Sequence, residues 1–119
     1  MPFVQIYRRP ERVDAVRALS IARTSCTSLA TALMRYDSAH VVRPAMVDVK
    51  VLDIGELDII RCDLFVSCFA RTEPARHAHR REIVDAVRTA LLSVGLGPDD
   101  VVELLLTDHT SSFDYSRLE

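Results

Sequence analysis

The strongest constraint in this sequence is a pattern that runs through twice. Each pass is a short stretch of alternating polarity, a longer stretch of helical periodicity, and a second alternating stretch. Residues 3–8 alternate, with Val4 and Ile6 on one side and Phe3, Gln5 and Tyr7 on the other. Pro10 then stops the strand and suits the first turn of a helix, where its missing N–H costs nothing; Glu11 and Asp14 favour the positive end of that helix. Val16, Leu19, Ala22, Cys26, Leu29, Ala30 and Leu33 recur at helical spacing. After a loop over 37–44, a second strand is expected at 46–52, with Val47, Val49 and Val51 on one face.

The second pass begins with a longer strand expected at about 58–70. Cys62, Leu64, Val66 and Cys68 alternate there with Arg61, Asp63, Phe65, Ser67 and Phe69. Thr72, read as a cap, and Pro74 open a second helix whose apolar stripe is Ile83, Val87, Ala90, Leu91 and Val94. Gly95 to Pro98 ends it in the glycine-then-proline manner, and 101–107 is the fourth strand. The order β-α-β-β-α-β, with each βαβ crossover right-handed, predicts an α+β fold: a four-stranded mixed sheet with both helices on one face. The expected organisation is one domain over 1–119. It comprises a first βαβ unit at 1–53, a second at 58–107 and an extension at 108–119.

The strands have one wholly apolar face for the helices to cover. The other face carries Phe3, Tyr7, Phe65, Phe69 and Leu105, too much apolar surface to leave in water, and predicts a homo-oligomer packed through the open side of the sheet. A formal net charge of −2 offers no global field for nucleic acid or an anionic membrane. No apolar run approaches the roughly 18 residues of a membrane span, and no signal-peptide pattern opens the chain. Three cysteines at irregular spacing read as core-facing structural thiols in a reducing, cytoplasmic setting.

Most constellations read as structure. His77 and His79 are two apart on a helix and cannot share a metal, so no metal site is expected; His40 and His109 carry no pattern. Gly95 and Gly97 follow a helix instead of opening one, which rules out a dinucleotide cradle. The pair Arg80-Arg81 reads as a solvated helix face. Lys50 is the only lysine, and the arginine bias either serves carboxylate binding or reflects codon usage.

That leaves Pro2. If Met1 is trimmed, its nitrogen is a secondary amine at the head of a strand. An α-amino group has a reference pKa near 8, and partial burial or a nearby guanidinium lowers it towards the range of a general base. An arginine holding the carboxylate of a small acid beside that amine suffices for proton abstraction next to a carbonyl, with no cofactor.

Here the sequence resembles the tautomerase superfamily, which includes 4-oxalocrotonate tautomerase, macrophage migration inhibitory factor and malonate semialdehyde decarboxylase. Pro2-x-x-Gln5-Ile6 followed by Arg12-x-Asp14 is similar to the opening of 4-oxalocrotonate tautomerase. The run Val66 to Pro74 resembles the strand end of the decarboxylase branch: Arg71 matches the first of two arginines, and Glu73 stands in the place of the second. Asp48 likewise stands where 4-oxalocrotonate tautomerase has an arginine.

The resemblance implies Pro2 as catalytic base, Asp37 as an assisting catalytic carboxylate, and Arg12, Arg71, Arg43 and Phe113 as substrate-binding residues. It further implies a trimer and a small carboxylate substrate. The expected activity is cofactor-independent tautomerisation or isomerisation of small carboxylated enols or keto acids. Two alternatives stand beside it: decarboxylation, dehalogenation or hydration by the same fold, and a non-catalytic oligomeric binding module.

Overall fold

The computed structural model describes residues 2–108. Four strands form one mixed sheet in the order β2-β1-β3-β4: β1 (Phe3–Arg8), β2 (Asp48–Asp53), β3 (Leu64–Arg71) and β4 (Val101–Thr107). β2 runs parallel to β1 and β4 parallel to β3, while the central pair β1 and β3 is antiparallel. The helices α1 (Ala15–Tyr36), α2 (Pro74–Ala78) and α3 (Arg80–Leu92) cover the face that carries Val4, Ile6, Leu64, Val66, Cys68 and Ala70. This is the expected α+β architecture. No helix among the described residues is long and apolar enough to cross a membrane.

Local chemistry sets the elements. Asp14 caps α1 by accepting from the Arg17 N–H at 2.8 Å. Pro10 therefore lies not in a helix but in the turn before it, where the Arg12 and Val13 N–H groups both donate to the Arg9 carbonyl. The stripe that α1 buries is Ala18, Ile21, Ala22, Ser25, Leu29, Ala30, Ala32 and Leu33. Val16 (76% exposed) and Leu19 (48%), expected on that stripe, face outwards, because small alanines let the helix approach the sheet in a phase that excludes them.

The third strand is shorter than its alternation predicts. A strand needs a neighbour, and β1 ends at Arg8 opposite Leu64, so residues 58–63 have nothing to pair with. They form a loop instead: the Gly55 N–H donates to Asp58 Oδ2 at 2.7 Å and the Arg9 N–H to the Asp63 carbonyl at 2.9 Å. Cys62 therefore lies in a loop, partly exposed, and not on the core face of a strand.

The second predicted helix is two. His79, at φ −111° and ψ 22°, breaks it between α2 and α3. The N-cap of α2 is Glu73, without a side-chain hydrogen bond, and Pro74 rather than Thr72 defines its start. The stripe Ile83, Val87 and Leu91 is buried as expected. The helix-free face of the sheet carries Phe3 stacked on Phe69 (centroids 4.4 Å, planes 9° apart) and Tyr7 edge-on to Phe65 at 6.3 Å.

Candidate functional site

The parallel and antiparallel registers give the sheet two ends. One holds the start of β1 and β2 and the finish of β3 and β4; because α1 runs back across the sheet, its C-terminus returns to that same end. Pro2, Asp37, Arg43 and Arg71 thus gather there from four separate parts of the chain. Pro2 is buried, and its carbonyl accepts from the Asp48 N–H at 3.4 Å. One step back from the Phe3–Phe69 pairing, it lies opposite Ala70, just before Arg71.

Asp37 caps the C-terminus of α1, its N–H donating to the Leu33 carbonyl at 2.8 Å. Its carboxylate is buried and contacted twice. Arg76 Nε lies 2.9 Å from Oδ2, with both side chains 5% exposed, and His40 Nδ1 lies 2.9 Å from the same oxygen. Arg76 Nη1 donates to the Arg71 carbonyl at 2.9 Å, which ties α2 to the end of β3. The Nε of Arg76 meets Asp37 as an ion pair whose angle falls short of a hydrogen bond.

The chain of charges continues outwards. His40 Nε2 lies 3.6 Å from Glu73 Oε2, and the same oxygen lies 3.6 Å from Arg71 Nε. Arg71, read from sequence as a ready carboxylate anchor, is therefore already paired with an internal carboxylate. Arg43 stands exposed on the segment that leads through a 3₁₀ turn (Pro44–Met46) into β2. Among the described residues it makes no ion pair.

Arg12 is the clear departure. It lies past the opposite end of β1, roughly 20 Å from Pro2 at about 3.3 Å per residue. There its Nε pairs with Asp63 Oδ2 at 3.5 Å, beside Arg9 on the other oxygen at 3.3 Å. Within one subunit the fold does not bring Arg12 and Pro2 together. Phe113 and Met1 lie outside the described residues.

Sequence reasoning missed Arg76 and His40. A signal for Arg76 existed: residue 76 is seven before Ile83, so helical phase puts an arginine on the buried stripe. His79 also does more than cap a solvated helix, for it stacks on Tyr36 (centroids 4.9 Å) and its Nδ1 lies 2.8 Å from Glu82 Oε2. That contact holds the Glu82 carboxyl below its ordinary range.

The thiols take no part. Burial, with a smaller contribution from Glu103, pushes Cys68 up to about 12, and burial also raises Cys26 and Cys62. A shallow groove of about 280 Å³ lies elsewhere, between α1 and α3, lined by Thr24, Thr27, Ser28, Thr31, Arg35 and Ala90 among others. It includes none of the candidate site residues Pro2, Arg12, Asp37, Arg43 and Arg71.

Compared by sequence, the chain matches no protein-family model and no curated protein. Compared by structure, it resembles the protein Pt0534 inactivated by 2-oxo-3-pentynoate, with TM-score 0.62 and 15% identity over 89% of this chain and 85% of that one. It also resembles malonate semialdehyde decarboxylase, solved as wild type, as a proline-to-alanine mutant and in inactivated form. The TM-score is 0.61 and the identity 13%, over 98% of this chain and 92% of that one. A fused 4-OT, a symmetric trimer, matches with TM-score 0.54 and 15% identity over 91% of this chain and 87% of that one.

Proposed function

From a chain that carries the tautomerase superfamily fold, we propose a cofactor-independent tautomerase or isomerase of small carboxylated enols or keto acids. The observation that supports this reading is the position of Pro2: buried at the head of a central strand, at the end of the sheet that also carries Asp37, Arg43 and Arg71. With Met1 removed, the Pro2 nitrogen is a neutral secondary amine. It takes a proton from the carbon beside the substrate carbonyl while the C–H electron pair forms the enolate, and it returns that proton at the new position. A guanidinium fixes the substrate carboxylate so that the carbon meets the amine.

The active unit is a homo-oligomer packed through the helix-free sheet face, as the aromatic pairs there and the trimeric neighbour suggest. Arg12, far from Pro2 within its own subunit, can serve this site only from a neighbouring copy.

Two measurements test the reading. Intact mass of protein from its native host must lack Met1, since a retained Met1 makes the Pro2 nitrogen an amide and ends the proposal. Pro2→Ala must then lower phenylenolpyruvate ketonisation by about 10²- to 10⁴-fold, the usual worth of a positioned acid or base; unchanged turnover would also end it.

A second reading has one observation in its favour: Asp37 is held, buried, at the Pro2 end by Arg76 and His40. It is decarboxylation or hydration of a three-carbon oxo or halo acid, with Pro2 protonated. That enzyme would slow as pH rises through the Pro2 pKa, where a base-catalysed tautomerase would speed up.

A further inference from the structure

The charges at the Pro2 end nearly cancel, and the way they cancel bears on the substrate. Arg76 is consumed by Asp37 at 2.9 Å, both side chains buried. Arg71, half exposed, faces the mostly buried carboxylate of Glu73 at 3.6 Å. Asp48, at the head of β2, adds a third carboxylate. Against these, Arg43, on the segment that leads into β2 beside Pro2, meets no carboxylate among the described residues; Arg35 instead lies over the Tyr36 ring and lines the groove between α1 and α3, and Arg80 donates to the His77 carbonyl.

We infer that the Pro2 end is built for a monocarboxylate, held by Arg43, and that Glu73 selects against dicarboxylates by occupying Arg71. The inference rests on the tautomerase reading and names its substrate class. A substrate bearing one carboxylate satisfies Arg43 and brings no second anion near Glu73. A dicarboxylate needs a second guanidinium, and Arg71, half exposed, can offer one only with Glu73 already beside it. The Glu73 carboxylate would then lie beside the incoming one, and like charges a few ångströms apart repel.

The test compares ketonisation of phenylenolpyruvate, a monocarboxylate, with that of 2-hydroxymuconate, a dicarboxylate, by the natural protein, Glu73→Gln and Arg43→Gln. The natural protein should favour the monocarboxylate in kcat/KM by about tenfold or more. Glu73→Gln keeps the side-chain shape, removes the charge and frees Arg71, and it should shift the ratio of the two substrates about tenfold towards the dicarboxylate. Arg43→Gln should raise KM for the monocarboxylate with little change in kcat, the signature of lost ground-state binding. A natural preference for the dicarboxylate, or an unchanged ratio in Glu73→Gln, overturns the inference.

Calorimetric binding of the unreactive pair 3-phenylpropionate and adipate to the same three proteins separates this inference from the activity. Preference for 3-phenylpropionate that Glu73→Gln erodes, in a protein without turnover, keeps the monocarboxylate site and sinks the tautomerase. Equal binding of both acids overturns the monocarboxylate site whatever the turnover.

Discussion

The two ends of the sheet use the same residue type in opposite ways. At the end away from Pro2, arginines staple loops. Arg8 donates to Asp53 and to the Val13 carbonyl, Arg9 to the Ile60 and Cys62 carbonyls, Arg17 to the Gly95 carbonyl, and Arg88 to the carbonyls of Pro98 and Asp100. These contacts are exposed or half-buried, so water competes for every partner. At the Pro2 end Arg76 and Asp37 have left water altogether, and each depends on the other. The lesson concerns arginine abundance: most of it here holds irregular backbone in place, and the pair of Arg76 with Asp37 is the buried exception.

The contrast makes a graded series of expectations. Arg76→Ala leaves a buried carboxylate without its guanidinium and should cost about 3–5 kcal/mol of stability, read by urea denaturation. A loss under about 1 kcal/mol would mean that His40 alone compensates Asp37.

Cys68, three residues before the end of β3 at Arg71, should give the next effect. Burial raises its thiol from an ordinary value near 9.0 to about 12, so the folded state holds that proton more tightly than the unfolded one. Its contribution is therefore fully present below pH 9 and drains away as pH climbs towards 12. By pH 11 the natural protein should have lost about 2–3 kcal/mol relative to Cys68→Ala measured across the same range. Parallel pH curves for the two proteins would contradict that.

The opposite end should break more softly. Gly95 adopts φ +111°, and a Cβ there would come within 2.9 Å of Arg17 Nε. Gly95→Ala should cost about 1–2 kcal/mol from backbone strain, with the mobile guanidinium yielding to the methyl. Thermal unfolding of Gly95→Ala in an Arg17→Ala background separates the two causes, since strain alone survives there. Smallest of all, Arg12→Ala removes an exposed contact with Asp63 and should move stability by less than about 1 kcal/mol. Its effect on turnover is the informative readout, for a large loss would require Arg12 to act at a neighbouring subunit's Pro2.

Much of the fold was legible because periodicity and burial answer to the same physics. The alternation at 3–8 and 101–107 matches the observed strands, and Ile83, Val87 and Leu91 lie where a 3.6-residue period puts them. The misreadings share a cause. Alternation at 58–63 marks residues able to join a strand, but pairing requires a neighbour, and β1 stops at Arg8. Val16 and Leu19 are apolar enough for a core, yet the sheet chose the alanine-bearing face of α1.

The candidate site divides along the same line. The sequence by itself determined the doubled βαβ plan, the proline after Met1 and the carboxylates at Asp48 and Glu73, since these are properties of residue type and local spacing. Only the tertiary structure decided that Asp37 meets Arg76, that His40 joins it, that Arg71 pairs with Glu73, and that Arg12 lies at the end away from its own Pro2. Those facts depend on the helix returning across the sheet and on which charges leave water together. A buried ion pair is a balance between desolvation and geometry, and that balance exists only once both partners have been brought to the same place.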